Sequence, residues 1–279
     1  MRMKRVLSLL LVMILAAGTP ICAAAEGYDH TPPAPTMTGF AAAEDGVMIE
    51  YAVYGDPNAE PLVLLSPNNG SMHAFDGDIL PELAKRFMVV TFSTRGTGNT
   101  ALGGQRLTFE LDCADLLAVL GELGVTSMNV YGFSDGGNLG LVFTLAHPEM
   151  VRRLAVKGAN INTRGTKLSS QIGIVWRYIR LSVEYFFTRD PQTLRRRNIT
   201  GKMVGQPTLT FDDLSAISCP VLNIYGEHDM FYRSHSQGIT GAIDGAQELM
   251  IEGSGHSATL EETDGVLLPA LLEFFGDGA

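Results

Sequence analysis

Residues 128–140, MNVYGFSDGGNLG, constrain the fold of this chain more than any other stretch. An apolar run ends at Gly132, a serine follows two residues later, and Gly136, Gly137 and Gly140 open a helix-forming segment. Gly-x-Ser-x-Gly between a strand and a helix is the pattern of a sharp turn that strains the serine backbone and pushes its Oγ outward. Small residues are needed on both sides, because a Cβ would collide with neighbouring backbone. The pentapeptide alone also fits a glycine-rich turn in which Ser134 only bonds locally. The strand before it and the helix after it favour a nucleophile.

The rest of the chain reads as strands alternating with helices. Strands are expected at Val47–Tyr54, Leu62–Leu65, Phe87–Phe92, Met128–Gly132, Leu154–Val156, Val221–Tyr225 and Leu249–Ile251. Several are continuous apolar runs, as strands buried on both faces require. Helices are expected at Ala74–Arg86, from a Thr108 cap to Leu123, at Leu139–His147 and at Val266–Phe275. Cys113, Leu116, Leu117 and Leu120 give the second of these one core face. Such alternation predicts an α/β fold with a mostly parallel sheet covered on both sides. The rhythm breaks between Asn162 and Cys219. There Ile172, Val175, Trp176, Ile179, Val183 and Phe186 form a helical apolar stripe. A small helical cap at about 163–215 is the expected reading. Its stripe packs onto the sheet, the reading that helical spacing favours, or, with Tyr178 and Tyr185, it meets a hydrophobic substrate.

The N-terminus reads differently. Arg2, Lys4 and Arg5 precede the apolar run Val6–Gly18 and then Ala23-Ala24-Ala25, the layout of a secretory signal peptide at 1–25. The run is short for a span of about 20 residues, so an uncleaved anchor is the weaker alternative. Residues 26–37 read as an exposed linker, and 38–279 as one domain. Loss of the three leader cations takes the formal charge from −10 to −13. Such an acidic chain is a poor candidate for nucleic acid or anionic membrane, and no stable membrane insertion is expected after cleavage. Cys22 leaves with the leader. Cys113 and Cys219 sit in apolar runs typical of buried thiols, and no metal-ligand spacing occurs.

A nucleophilic serine needs a base, and the base an orienting acid. Strand VLNIY ends in Gly226-Glu227-His228-Asp229, and strand LMI in Glu252-Gly253-Ser254-Gly255-His256. Asp229 is the candidate acid, with Glu227 its rival, and His256 the candidate base. Of the other histidines, His73 alone lies near the loop expected to hold an oxyanion. The donors expected there are the backbone N–H of Asp135, after the nucleophile, and that of Asn68 in Ser66-Pro67-Asn68-Asn69-Gly70, with Asn69 next; Pro67 has no N–H.

These motifs, with Ser93-Thr94-Arg95-Gly96-Thr97-Gly98 and residues 219–229, resemble the α/β-hydrolase superfamily over roughly residues 38–277. The likeness is to small capped enzymes: carbon–carbon hydrolases, enol-lactonases and valacyclovir-hydrolase-like esterases. The resemblance implies a Ser134, His256, Asp229 triad acting on a small-molecule ester, lactone or thioester, with no metal or cofactor. It leaves room for carbon–carbon or amide hydrolysis, acyl transfer, or a non-catalytic binding protein on the same scaffold. Two segments depart from the family pattern: Ser66-Pro67 stands where His-Gly is usual, and Ser93 where Asp is usual.

Overall fold

The computed structural model describes residues 28–276, so the expected leader lies outside the described residues. Eight strands form one sheet: β1 (Met37–Ala42), β2 (Met48–Tyr54), β3 (Pro61–Leu65), β4 (Met88–Phe92), β5 (Met128–Phe133), β6 (Val151–Lys157), β7 (Val221–Gly226) and β8 (Gln247–Ile251). Their order is β1-β2-β4-β3-β5-β6-β7-β8. Strand β2 runs antiparallel to both its neighbours, and all other pairings are parallel.

Alternation along each strand feeds two cores. On one face Val63, Leu65, Val90 and Val130 meet α2 (Phe109–Leu123) and α3 (Asp135–Ala146). On the other, Leu62, Leu64, Val89 and Tyr131 meet α1 (Leu80–Leu83) and the C-terminal helix. Thr108 caps α2 as expected, its side chain accepting from Leu111 N.

Two helices differ from expectation. Of Ala74–Arg86 only α1 is helical: Gly77 weakens the run, and Pro81 fits the first turn of a helix that starts there but not one that passes through it; isolated turns such as Ala74 N to Ser71 O precede α1. The helix after the Ser134 turn (the elbow) starts at Asp135, four residues before the expected Leu139, because the turn leads straight into it. Between β6 and β7 lie α4 (Leu168–Thr188), α5 (Pro191–Gly205) and the short α6 (Phe211–Leu214). Arg189, in the left-handed region at φ 53°, ends α4, and Asp190 caps α5. Helix α7 (Arg233–Ala242) follows β7, and α8 (Leu260–Glu262) and α9 (Leu268–Gly276) close the chain.

The apolar stripe of α4 does not pack onto the sheet. Ile172, Trp176, Ile179, Val183 and Phe186 are exposed. Leu181, on the opposite side of the helix, is buried, and Tyr178 lies over Gly201 of α5. The helix has two apolar faces, and α5 covers only the second.

The loop after β4 is fixed by a buried ion cluster. Arg95 donates from Nε and Nη2 to Asp115 and from Nη1 and Nη2 to Asp45, at 2.6–2.9 Å. Ser93 is buried beside it, donating to Glu50 Oε2 at 2.9 Å and accepting from Met72 N. The serine that departs from the family pattern thus holds structure together. Arg95→Met leaves Asp115 buried without its cation, and about 3–5 kcal/mol of stability is expected to go. Urea denaturation measures it, and a loss below about 1 kcal/mol would contradict this account.

Candidate active site

Ser134 joins β5 to α3 with φ 57° and ψ −119°, a strained backbone for any residue with a Cβ. The turn closes because glycine surrounds it. A Cβ on Gly132 would lie 2.2 Å from Gly136 O, and one on Gly136 would lie 1.9 Å from Leu65 O. Ser134 N donates to Lys157 O at 2.8 Å, tying the turn to β6.

Asp229 and His256 arrive on the loops after β7 and β8, at the same end of the sheet. Those loops are joined: His228 N donates to Ser254 O at 2.8 Å, and Glu227 N to Ile251 O at 3.0 Å. His256 Nε2 lies 2.9 Å from Ser134 Oγ, and its Nδ1 lies 2.8 Å from Asp229 Oδ1. Asp229 is only 3% exposed and also accepts from Phe231 N. Serine, imidazole and carboxylate thus form one hydrogen-bonded line. The rings of Phe133 and Phe231 stand 5.2 and 5.4 Å from the imidazole and give the line apolar walls. Glu227, the rival acid, is exposed, and its Oε2 accepts from Gly253 N instead. His73 is exposed and bonded to Asp76.

The two candidate oxyanion residues are side by side. Asn68 Nδ2 donates to Asp135 Oδ2 at 2.8 Å and to Ile199 O of α5 at 3.1 Å. Asn69 takes φ 63°, and its Oδ1 accepts from Arg195. Ser66 Oγ donates to Gly70 O, so the Ser66-Pro67 segment forms a self-closed turn. The small cavity among Asn68, Asp135, Ile199 and Lys202 measures about 10 Å³, room for about one water.

Three residues absent from the sequence-based candidates complete the surroundings. Lys202 of α5 reaches Asp112 at 2.5 Å and Asp135 at 3.6 Å, carrying a buried cation from the cap to the elbow. Burial alone lowers its pKa, but Asp112 and Asp135 outweigh that and raise it, so the ammonium persists. Lys157, at the end of β6, donates to His256 O at 2.7 Å and lies 4.6 Å over the Phe133 ring. Its burial lowers its pKa, against the raising pull of Asp229 and Asp78. Gly158 takes φ 57°, and a Cβ there would meet His256 Cε1 at 2.9 Å. The lysine ending an apolar strand was the one signal in the sequence; nothing local pairs Lys202 with an acid ninety residues away.

The family model for the alpha/beta hydrolase fold matches residues 60–203. The chain belongs to the α/β-hydrolase fold family. It is 36% identical over 115 residues to a putative carbamate hydrolase, RutD, of Caulobacter segnis, covering 40% of this chain and 42% of that protein. The chain thus spans about two fifths of the length of that relative. It is 25% identical over 247 residues to the serine hydrolase BPHL of Mus musculus, covering 82% of this chain and 83% of that one. The fold is also that of an enol-lactonase from Burkholderia xenovorans, with a TM-score of 0.68 at 20% identity, covering 85% of this chain and 100% of the other.

Lys157 positions His256 and adds positive charge near Asp229. Lys157→Met is expected to lower kcat about tenfold to a hundredfold with KM little changed, as a shift of about 1 Å in a site group does. Burial lowers the Lys157 pKa, so its ammonium is lost as pH rises through a value below the ordinary 10.5, and turnover that depends on that charge is expected to fall over the same range. The variant should lack this alkaline limb. Turnover followed from pH 7 upward checks both, and an unchanged kcat would contradict the positioning role.

Proposed function

We propose that this chain is a serine hydrolase that cleaves a carboxylic ester, lactone or thioester through an acyl-enzyme. The observation that carries the reading is the hydrogen-bonded line Ser134–His256–Asp229. Ser134 Oγ attacks the substrate carbonyl as its proton passes to His256 Nε2. Asp229 holds the imidazole by Nδ1 and stabilises its charged form. The oxyanion takes hydrogen bonds from the backbone N–H groups of Asp135 and Asn68. His256 then protonates the leaving group. Water, deprotonated by the same imidazole, releases the acid and restores the serine. Phe133 and Phe231 beside the imidazole favour a hydrophobic substrate.

The relatives support hydrolysis as the class of reaction. The carbamate hydrolase likeness favours a second reading on the same line of residues, cleavage of a carbamate or amide. Residues 1–25 have the pattern of an export signal, so the proposed place of action is outside the cytoplasm.

Hydrolysis of p-nitrophenyl acetate through octanoate tests the reading. Ser134→Ala is expected to lower kcat by about 10⁶. Equal turnover by wild type and variant would overturn the serine mechanism, and no turnover by either would favour a binding protein on the same scaffold.

A further inference from the structure

The outward face of α4 carries more apolar surface than a solvated helix does. Leu168, Trp176, Phe186 and Phe187 are 67, 65, 63 and 78% exposed, and Ile172, Ile179 and Val183 lie between them on the same face. Contiguous exposed apolar surface of this kind marks an interaction site. The expectation that the acidic chain avoids anionic surfaces came from a whole-chain average, and the cap departs from it. Residues 168–205 carry six arginines and one lysine against Glu184 and Asp190, a net +5 in a chain of net −10.

Arg177 and Arg180 line one edge of the stripe and are exposed. Arg180 is 3.7 Å from Glu184, a surface pair of small worth. At the end of the helix Arg189 stacks on Tyr185 and Phe186, 5.5 and 5.4 Å from their rings. Aromatic and aliphatic side chains along one face, with arginines at its edge and end, are the composition of a helix that lies in a bilayer interface. We infer that the outward face of α4 docks on the surface of an anionic lipid bilayer, with Trp176, Phe186 and Phe187 in the headgroup–acyl boundary and Arg177, Arg180 and Arg189 on lipid phosphates.

Charge argues against one other occupant. The chain's own apolar run Val6–Gly18 is preceded by Arg2, Lys4 and Arg5, like in sign to the rim it would cover. Among the described residues no helix is long and apolar enough to cross a membrane, so the contact is with a surface.

Trp176 is the one tryptophan of the chain, so tryptophan emission, excited selectively over the tyrosines, reports this face alone. The full chain is titrated with vesicles of phosphatidylglycerol and phosphatidylcholine, and with phosphatidylcholine alone. The expected result is an emission typical of exposed tryptophan without lipid, a blue shift on the anionic vesicles, and little on the neutral ones. In R177E/R180E the anionic-vesicle affinity falls at least fivefold per arginine, from the roughly 1 kcal/mol each supplies near such a surface. In F186S/F187S the shift is lost, with an unchanged urea midpoint in both variants. Cosedimentation without a shift would mean another segment tethers the chain, and overturns the proposal, as does an equal shift on neutral vesicles. Emission already blue without lipid also overturns it: if concentration-dependent, the face meets a second copy, and if not, the chain covers it itself.

Discussion

The approach of α3 to the sheet sets the rest of the structure. Gly136 passes so near Leu65 that no other residue fits, and Gly132 faces Gly136 just as closely. Only that contact lets the chain leave β5 and enter α3 with no intervening loop, and only that turn forces Ser134 to a positive φ. The strain is confined to one residue held by a dense core, which is how a strained backbone survives. Its consequence is an Oγ raised at the C-terminal end of the sheet, where the loops after β7 and β8 deliver a carboxylate and an imidazole.

Around this turn, charges are buried in pairs and clusters. Lys202 is a cation from the cap set between Asp112 and Asp135, so the residue beside Ser134 is bonded both to the cap and, through Asn68, to the loop after β3. Lys157 approaches from the other side and supports the loop that carries His256. Buried ions of this kind contribute little net stability, because desolvation offsets attraction. They do fix geometry, since each is costly to leave unpaired. The cap thereby has two distinct faces: α5 is bonded into the elbow, and α4 presents apolar surface and arginines outward.

The parallel core was legible because runs such as Leu62–Leu65 are buried on both faces and apolar throughout, and Val221–Tyr225 is apolar but for the buried Asn223. Strand β1 was not legible: it lies at the sheet edge, with Ala41 its one buried residue, so it has no apolar pattern to read. Asp229 and His256 were readable as candidates because each lies in the loop that follows a strand, a loop that opens with Gly226 in one case and holds Gly253 and Gly255 in the other. Asp229 was preferred over Glu227 in the sequence, and the structure brings Asp229, not Glu227, to the imidazole of His256. The stripe of α4 was found by its spacing and assigned to the wrong surface. Periodicity shows that a helix has an apolar face; it does not show what that face meets. Cys113 and Cys219 are free thiols, and burial pushes the Cys113 thiol up to about 12, in keeping with their apolar surroundings.

The most direct measurement is the intact and peptide mass of the protein after exposure to a fluorophosphonate. A nucleophilic Ser134 predicts one adduct, on the peptide that contains it, formed rapidly in the wild type and lost or greatly slowed in His256→Ala. No adduct, or an adduct elsewhere in the chain, would contradict the account.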